Sequence, residues 1–525
     1  MLDPAKILAE KVLSGEIRDK KQMAKEKARL ARKLHASEMP SDADILLQIP
    51  ANKRKDYEWL KIKRTRSLSG VSVVAVMTPP HSCPHGKCTY CPGGSEISTP
   101  QSYTGREPAA MRGKQFEYDP EKQVKERIRA LEAAGHPTDK IELIIMGGTF
   151  PARPEREIEN FVLGCFNGLN DTRSDNILEA HELNEKAKHR CIGLTFETRP
   201  DQCSREQIML MRRLGGTRVE LGVQNPDNRV YKRVQRGHTV VDVARATEDL
   251  KNALFKVNYH LMTNLPGSDP EKDLQMFKKI FSDERFKPDM IKVYPTLLIK
   301  PEYGKTTLYE EHSRGEWIPY SEEETAEIIA RATRFFPRWV RVMRVQRDIP
   351  SPLILAGPKH SNLRQLVDEK RKELGVKCKC IRCREIGLKS RDEMFEPDWD
   401  SVIIEETEYT ASGGKEYFVS AEEKTHDALV GFVRLRLAVF WPEELRDCAG
   451  IRELHVYGQE ARIGERKKGT GQHKGYGQQL LERAEDIARE KGFAKIAVIS
   501  GVGVKQYYKQ RGYAEKGNYL IKNLA

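Results

Sequence analysis

Short apolar runs alternate with stretches of helical periodicity between residues 71 and 350. The runs are apolar on both faces, which is typical of parallel strands buried under crossover helices. Six or seven such units predict an α/β barrel or partial barrel, whose chemistry belongs at the carboxyl ends of the strands. The predicted strands are VSVVAVM (71–77), IELIIMGG (141–148), CIGLTFET (191–198), TRVELGVQ (217–224), FKVNYHLM (255–262), MIKVYPTLL (290–298) and VRVMRVQ (340–346).

The pattern changes after about residue 350. A cysteine-rich stretch is followed by a second α/β region, with one long helix in YGQQLLERAEDIAREKG (476–492). Its predicted strands are ALVGFVRLRL (428–437), RELHVYG (452–458) and AKIAVIS (494–500). We therefore predict four segments: a helical extension (1–70), the partial barrel (71–350), a cysteine-containing linker (351–395) and a second α/β domain (396–525).

Composition and charge narrow the class of protein. The 525 residues are 38% hydrophobic and 32% charged, and no apolar run approaches the roughly 18 residues of a membrane span. The first residues lack a signal-peptide stretch, so we expect a cytoplasmic protein with no membrane contact. The net charge is +13, and residues 1–70 hold 17 Lys and Arg against 10 Asp and Glu. This basic region, interleaved with Tyr57 and Trp59, suits a nucleic-acid backbone, although a solvated helical surface gives the same pattern.

Three cysteines follow the first predicted strand in HSCPHGKCTYCPGG. Thiolates hold iron, and the C-x4-C-x2-C spacing lets Cys83, Cys88 and Cys91 reach one small cluster. A plant-type ferredoxin needs a fourth cysteine, but the next one, Cys165, lies far along the chain at the end of a predicted helix. Three ligands leave one iron of a [4Fe–4S] cluster open for a small molecule, as radical S-adenosylmethionine chemistry requires.

The alternative for these thiolates is a zinc site completed by His81 or His85. The ends of later strands favour the cluster, because Gly147 and Gly148 let the backbone approach a ligand, here the amino group of the methionine moiety. Other residues near strand ends are candidates for the same mouth, although each is equally compatible with a satisfied buried polar group. They are Thr149, Glu197, Arg199, Gln224 and Asn264.

The C-terminal region carries a Q-x-x-G-x-G pattern from Gln472 through Gly475 to Gly477, between a strand and the long helix. This pattern is typical of N-acetyltransferase (GNAT-like) α/β folds, in which free amides at a helix start receive the CoA pyrophosphate. In such folds a tyrosine of the last helix lies near the thioester sulfur. Tyr507 and Tyr508 are therefore the catalytic candidates, with the alternative that one of them is a core residue. The region is expected to bind acetyl-CoA.

A second cysteine triplet lies in CKCIRC, where Cys378, Cys380 and Cys383 have C-x-C-x2-C spacing. This spacing indicates a structural zinc site that closes a domain junction with a small core. His312 and His360 are candidates for a fourth ligand, and a second iron–sulfur cluster is the alternative.

Many motifs together give a specific resemblance from about residue 70 to the C-terminus. The chain resembles the catalytic subunit of the Elongator complex and its single-chain archaeal and bacterial relatives, the tRNA uridine(34) acetyltransferases. The basic N-terminal region is compatible with their tRNA-binding extension. The motifs are HSCPHGKCTYCPGG, STPQSYTGREP, IMGGTF, FETRPD, RVQRDIP, SNLRQL, CREIG, RELHVYG, QHKGYG, IAVISGVG and YYKQRGY.

The resemblance implies roles for individual residues. Cys83, Cys88 and Cys91 match the cluster ligands, Lys140 matches a lysine associated with acetyl-CoA, and Tyr508 matches the tyrosine near the thioester. The pantetheine strand and the phosphate loop match Glu453, Leu454, His455 and Val456, and Tyr476, Gly477 and Gln478, respectively. Two features depart from the family: the first cysteine spacing is tighter than in eukaryotic relatives, and the CKCIRC triplet is not universal.

The resemblance also implies a reaction. Reductive cleavage of S-adenosylmethionine yields methionine and a 5′-deoxyadenosyl radical, which takes hydrogen from the acetyl-CoA methyl group. The new carbon radical adds to C5 of the wobble uridine in tRNA, and loss of an electron and a proton, then thioester hydrolysis, leaves a 5-carboxymethyl group. A reductant for the cluster is a further implied partner, and both a monomer and a homodimer are compatible with the sequence.

Two other classes of protein are alternatives to this enzyme. A protein lysine acetyltransferase would use only the C-terminal domain, but the tyrosines and His455 are poor general bases for an amine acceptor. A non-catalytic RNA-binding scaffold would form no 5′-deoxyadenosine.

Overall fold

The computed structural model describes residues 3–34, 40, 42–50, 52–60, 70–360, 362–457 and 475–524. Within these ranges no helix has both the length and the apolar character needed to cross a membrane. The described residues form a group of N-terminal helices, a parallel sheet covered by helices, a helical linker and a second, mixed sheet.

The N-terminal helices share a small core of their own. Leu8 and Met23 are among its buried residues, and an ion pair of 2.7 Å between Lys11 and Glu26 ties the first helix to the second. The described stretches of residues 1–60 are thus helical, and residues 61–69 lie outside the described part of the chain. The helices are α1 (Pro4–Leu13), α2 (Lys20–Leu34), α3 (Asp42–Gln48) and a 3-10 helix (Arg54–Leu60).

Nine strands belong to the next part of the chain. They are β1 (Ser72–Met77), β2 (Lys140–Met146), β3 (Arg190–Thr198), β4 (Arg218–Gln224), β5 (Lys256–Thr263), β6 (Met290–Pro295), β7 (Leu298–Ile299), β8 (Arg341–Val345) and β9 (Ile354–Ala356). Seven of them form one parallel sheet in the order β1-β2-β3-β4-β5-β6-β8. Since β1 and β8 are its two edges, the sheet is a half barrel, which confirms the predicted partial barrel.

One predicted strand is wrong in its extent. The run MIKVYPTLL was expected to be continuous, but β6 ends at Pro295, and Leu298–Ile299 turns away to pair antiparallel with β9. Proline has no backbone N–H and therefore cannot continue a ladder of hydrogen bonds.

Ten helices alternate with these strands and cover the half barrel. Several begin at side-chain caps that satisfy the free amides of the first turn, including capping boxes at Ser204 with Gln207 and at Ser321 with Glu324. The helices are α4 (Pro108–Gln115), α5 (Pro120–Ala133), α6 (Glu155–Asn170), α7 (Ile177–Asn184), α8 (Arg205–Arg213), α9 (Asn228–Arg233), α10 (Val240–Asn252), α11 (Pro270–Ser282), α12 (Thr307–Ser313) and α13 (Glu322–Ala332).

A linker and a second sheet complete the chain. The linker has three helices, α14 (Leu363–Glu373), α15 (Ile381–Arg384) and α16 (Ile386–Glu393). The mixed sheet has the order β10-β11-β12-β13-β14-β16-β15. Its elements are β10 (Val402–Ala411), β11 (Gly414–Glu423), β12 (Ala428–Leu437), β13 (Cys448–Val456), α17 (Tyr476–Glu490), β14 (Lys495–Val498), α18 (Lys505–Lys509), β15 (Ala514–Lys516) and β16 (Tyr519–Asn523).

A buried ion network joins the two sheets. Arg452 of β13 donates to both carboxylate oxygens of Asp289, which immediately precedes β6, and to Glu416 of β11 at 3.0 Å. Arg436 donates to the same glutamate at 2.9 Å, and the ammonium of Lys251 lies within 3.9 Å of both carboxylates. Burial lowers the pKa of Lys251 to about 8. The C-terminal domain therefore packs against the amino-terminal ends of the half-barrel strands.

Candidate functional site

The three cysteines after β1 lie in one loop at the carboxyl ends of the half-barrel strands. Cys88 and Cys91 are buried and Cys83 is half-buried. Each sulfur has a polar neighbour: Thr149 Oγ1 lies 3.3 Å from that of Cys83, and Gln101 Nε2 donates to that of Cys91 at 3.1 Å. The Cys88 sulfur lies 3.3 Å from His85 Nε2. Thr149 and Gln101 can donate to a thiolate, whereas His85 Nε2 accepts from Arg199 and cannot donate to Cys88. Three sulfurs with such donors fit an iron–sulfur cluster.

The spacing of sulfur atoms separates this loop from the second triplet. Cys378, Cys380 and Cys383 place their sulfurs within 4.8 Å of one another, and tetrahedral zinc with Zn–S bonds of about 2.3 Å sets its sulfurs about 3.8 Å apart. Among the described residues the three cysteines of residues 83–91 do not form such a close group. Wider spacing suits ligands that each bind a different iron. The second triplet therefore has the spacing of a site for a single ion.

The residues considered as a fourth ligand of either triplet contact other parts of the protein. Cys165 is buried in the core on α6 and cannot be a fourth ligand of the first triplet. Near the second triplet, Arg364 donates to the Cys383 sulfur at 3.3 Å. The two histidine candidates are engaged elsewhere, since His312 bonds to the Trp317 carbonyl at 3.1 Å and His360 to Glu322.

At Gly147 and Gly148 the backbone lies close to Thr78 and Gln101. Both have positive φ, +135° and +91°. A Cβ at Gly147 would lie 2.0 Å from Thr78 Oγ1, and one at Gly148 would lie 3.1 Å from Gln101 Cβ. The glycines thus admit the segments on either side of the cysteine loop, and their predicted contact with the methionine moiety stays a prediction.

The other residues predicted for the mouth already make contacts within the protein. Glu197 accepts from Tyr103 OH at 2.9 Å, and Arg199 pairs with Asp201 through two nitrogens at 2.9 and 3.0 Å. The Asn264 side chain accepts from Tyr320 N at 2.9 Å and donates to the Ile318 carbonyl at 3.4 Å. Both Gln224 and Asn264 have left-handed backbone, at φ of 65° and 61°. Such strain is common where side chains are held at functional sites.

His85 is held in its neutral form beside the cysteines. Arg199 Nη1 lies 3.0 Å from His85 Nε2. Burial, followed by the charges of Arg199 and Arg236, lowers the pKa of His85 to about 3. A neutral imidazole is a possible metal ligand, but its accessible nitrogen is already shared between Arg199 and Cys88.

Sequence reasoning missed a polar group inside the half barrel. Glu220 is fully buried, receives a hydrogen bond from Lys292, and lies 2.7 Å from His260 Nε2. Burial would raise the pKa of Glu220, but Lys292 and His260 hold it well below its usual range. A signal was present, since Glu220, His260 and Lys292 are ionisable residues within predicted buried strands. Glu197 belongs to the same group, because its carboxylate lies within 4.8 Å of the Glu220 carboxylate and the His260 imidazole.

The acetyl-CoA residues predicted on β13 lie at the other end of the half barrel. The ladder between β13 and β14 ends at Ile451 with Val498, so the strands diverge before Glu453 and Leu454. Because one side of β13 is paired with β12 and successive amides point to opposite sides, every second amide beyond Ile451 faces the gap, as a paired pantetheine arm requires. The Glu453 carboxylate itself accepts from Arg434 Nε at 2.8 Å. Lys140 begins β2, paired with Arg190, and so lies at the same end.

The start of α17 has the geometry expected of a phosphate loop. Gly475 precedes the helix with φ of +81°, and a Cβ at Gly477 would lie 3.3 Å from Tyr507 OH and 3.5 Å from Val456 Cγ2. The first turn of the helix therefore lies beside the end of β13. The remaining residues of the loop are Tyr476, which is buried, Gln478, which bonds to Glu482 at 2.8 Å, and Gln472, which lies outside the described residues.

The two candidate tyrosines differ in their surroundings. Tyr508 is buried against Tyr513, with ring centroids 5.7 Å apart, and burial raises its pKa. Tyr507 is half-buried, its hydroxyl is the one beside Gly477, and Arg511 lies 3.7 Å above its ring. The hydroxyl of Tyr507 is thus nearer the helix start, whereas Tyr508 packs in the core.

Comparisons with known proteins agree with both sites. Family profiles described as the Radical SAM superfamily, the Radical_SAM C-terminal domain and the Acetyltransferase (GNAT) family match residues 77–280, 288–373 and 383–513. A radical SAM domain implies a [4Fe–4S] cluster and S-adenosylmethionine, and a GNAT domain implies acetyl-CoA.

Relatives match the chain over nearly its whole length. It is 48% identical to the tRNA uridine(34) acetyltransferase of Methanocaldococcus jannaschii, over 97% of this chain and 95% of that one. It is 41% identical to human Elongator complex protein 3, over 95% and 93%. The solved structure of Methanocaldococcus infernus Elp3 lacking residues 1–46 matches 87% of this chain and 100% of its own, with 43% identity and a TM-score of 0.77. The chain therefore belongs to the family of tRNA uridine(34) acetyltransferases and Elongator complex protein 3.

Proposed function

We propose that this chain is a tRNA uridine(34) acetyltransferase that uses S-adenosylmethionine and acetyl-CoA to place a carboxymethyl group on C5 of the wobble uridine. One observation carries the proposal: a three-cysteine loop and an acetyltransferase-like module occupy opposite ends of the same half barrel, held together by buried ion pairs. A lysine acetyltransferase that used the C-terminal module alone would need no such cysteine loop.

The cysteine loop is the proposed place of radical initiation. Cys83, Cys88 and Cys91 would hold a [4Fe–4S] cluster, which supplies electron transfer to S-adenosylmethionine when bound. The chain itself contributes Gln101, which donates to the Cys91 sulfur at 3.1 Å. Gly147, Gly148, Thr149, Glu197 and Asn264 are proposed to line the S-adenosylmethionine site. Their role is to orient the cofactor and to exclude water from the reacting carbon.

The diverging end of β13 and the start of α17 are the proposed acetyl-CoA site. Backbone from Glu453 to Val456 would pair with the pantetheine arm, and the amides of Tyr476, Gly477 and Gln478 would receive the pyrophosphate at the helix start. Lys140 is proposed to contact the same cofactor. Of the two tyrosines, Tyr507 has its hydroxyl beside this helix start and is therefore placed toward the pyrophosphate. Tyr508, which matches the family's tyrosine near the thioester, is proposed for that role.

A column of polar side chains connects the two proposed sites through the half barrel. At the β13 end of the column, Lys256 lies near Glu453. Burial lowers the pKa of Lys256, and the charge of Glu453 opposes that shift. Further along, Arg218 pairs with Glu142. The column then reaches Glu220 with its partners and ends at Glu197 below the cysteine loop. We propose that this column marks the direction in which the acetyl group is presented, because it runs between the acetyl-CoA end and the cysteine end of the half barrel.

The tRNA is proposed to bind the exposed basic face of α2. Lys21, Lys25, Arg29 and Arg32 are exposed and recur every three or four residues, so they share one side of the helix. A wobble base is unpaired in the anticodon loop, and moving it into a pocket therefore requires little energy. A cluster reductant, a homodimer and a cytoplasmic location stay predictions.

A single metal ion, zinc, is proposed at Cys378, Cys380 and Cys383. The three sulfurs fall within the spacing of one tetrahedral ion. Because α15 begins directly after Cys380 and packs against both β8 and β12, an ion here would tie the linker to both sheets.

The function is tested by anaerobic reconstitution with tRNA, S-adenosylmethionine and acetyl-CoA, followed by mass spectrometry of nucleosides. We expect 5-carboxymethyluridine and 5′-deoxyadenosine from the native chain and neither from C88A, with tRNA binding nearly unchanged. C191A is the matched control, since Cys191 is a buried thiol of the half-barrel core. Modified uridine in the C88A reaction would rule the mechanism out, and acetylated protein formed without S-adenosylmethionine would favour the lysine acetyltransferase.

A further inference from the structure

Arg236 is a buried cation that faces the cysteine loop. It lies in the turn between α9 and α10, with 6% of its surface exposed. Its Nη1 donates to the Cys88 sulfur at 3.5 Å, and its Nη2 donates to the Gly222 carbonyl. The guanidinium therefore rests directly against one of the three proposed cluster ligands.

The charge of Arg236 has no carboxylate beside it. In the described part of the chain, its hydrogen-bond acceptors are the Cys88 sulfur and one carbonyl. Arg199, on the other side of the same loop, is neutralised by Asp201 at 2.9 Å. Since a buried guanidinium without an anion is strongly unfavourable, an anion is expected at the Cys88 sulfur. A thiolate that ligates an anionic cluster meets this requirement.

The surroundings are shaped to keep this contact. A Cβ at Gly222 would lie 2.6 Å from Arg236 Nη2, so only glycine lets the guanidinium pass. A Cβ at Gly237 would lie 2.6 Å from His85 Cβ. The backbone of Thr89 donates to the Val234 carbonyl at 3.1 Å and thereby ties the cysteine loop to the turn that carries Arg236.

We propose that Arg236 is a positioning residue that sets the reduction potential of the cluster held by Cys83, Cys88 and Cys91. The inference rests on the proposed function, which assigns a cluster to these thiols. One electron from a low-potential donor makes the cluster more anionic. A fixed positive charge that donates a hydrogen bond to a ligating sulfur therefore stabilises the reduced form more than the oxidised form, and the low dielectric of the interior strengthens this effect.

The test is the midpoint potential of the reconstituted cluster in R236Q, measured by anaerobic titration with dithionite and followed by electron paramagnetic resonance of the reduced form. We expect the reduction equilibrium to become at least tenfold less favourable, which corresponds to a fall of 59 mV for one electron. R236K retains the charge and should show a smaller fall. R212Q is the matched control, because Arg212 is equally buried but bonds to the carbonyls of Gly216, Ser500 and Asn518.

G222A provides a second route that leaves the charge in place. Its Cβ displaces the guanidinium from Cys88, so its potential should also fall. An unchanged potential in R236Q overturns the proposal, as does an equal fall in R212Q. Should R236Q take up too little iron for a signal, an unchanged potential in G222A overturns it. The titration contains neither tRNA nor acetyl-CoA, so failure here leaves the proposed function standing, whereas a native chain that takes up no [4Fe–4S] cluster would defeat the proposed function itself.

Discussion

Gly147 shows how a single residue controls the cysteine loop. A methyl group there would lie 2.0 Å from Thr78 Oγ1, and the backbone φ of +135° is one that side chains rarely adopt. We predict that G147A destabilises the fold by about 2–4 kcal/mol, combining backbone strain with overpacking. Because Thr78 leads into the cysteine loop, the variant should also bind less iron. Urea unfolding and iron content after reconstitution measure the two effects.

The matched control for G147A lies in the cysteine loop itself. Gly86 also has positive φ, +91°, but a Cβ there would meet nothing within 4 Å. G86A should therefore show only the backbone penalty, about 1–2 kcal/mol, and retain its iron. Equal iron loss in both variants would mean that loop strain, rather than the contact with Thr78, governs cluster binding.

The proposed metal ligands are easier to find in a sequence than the residues that surround them. Cysteine spacing alone marks both triplets, because thiols in short loops have few other uses in such a chain. Arg236 and Glu220 carry no local motif, since an arginine after a helix or a glutamate within a strand has many ordinary roles. Glu220 matters only because its face of β4 points into the half barrel, and Arg236 matters only because the turn at residues 234–238 packs against the cysteine loop. The roles assigned to individual site residues stay predictions.

Helix α2 is the element on which tRNA binding is expected to depend. Replacing Lys21 and Lys25 with glutamine removes two exposed charges without touching the core residues Met23 and Leu30. We predict weaker binding of tRNA and a slope of log K against log salt that is less steep by about 1.4–1.8, for two phosphate contacts. Fluorescence anisotropy over a range of salt concentrations measures both.

The control for this prediction removes the same charge from a different helix. Lys272 and Lys278 are exposed on α11, where no tRNA contact is proposed, and the K272Q/K278Q variant should keep the slope of the native chain. An equal change of slope in both variants would show that net charge, not the face of α2, attracts the tRNA.

Strands were predictable where a run of neighbouring residues is apolar enough to mark them. The seven parallel strands follow from apolar runs, and the predicted fold class is confirmed. Strands β10 and β11 were not predicted, because β10 is an edge strand whose residues are half exposed and interleaved with glutamates. The division of the chain at residues 70, 350 and 395 stays a prediction.

The arrangement of the two sheets could not be predicted from the sequence, because it depends on partners far apart in the chain. Asp289 and Arg452 are 163 residues apart, and nothing local to either marks the other. Once joined, they set the acetyl-CoA end of β13 against the amino-terminal ends of the half-barrel strands. Docking adds Glu453 to the polar column, whose other members belong to the half-barrel strands.

Replacing Asp289 therefore tests how much the buried ion network stabilises the docking of the two domains. D289N removes one of the two carboxylates that Arg452 and Lys251 share and leaves only Glu416 between them. We predict a loss of about 3–5 kcal/mol in the free energy of unfolding. D283N is the matched control, since Asp283 pairs with Arg285 on the surface and should cost at most about 1 kcal/mol. Urea unfolding of the full chain measures both, and equal losses would show that the buried network adds nothing to domain docking.

The pH dependence of D289N follows from the same contacts. Burial would raise the pKa of Asp289, but Arg452 and Lys251 hold it well below its usual range. A depressed carboxyl pKa contributes stability that is present above the unfolded value of about 3.9 and is lost as the pH falls below it, because the unfolded chain then binds the proton first. The stability difference between the native chain and D289N should thus stay constant from pH 7 to about pH 5 and shrink below about pH 4. A difference that grew on acidification would mean that Asp289 is protonated in the folded chain, and the ion network would then not be what holds the two domains together.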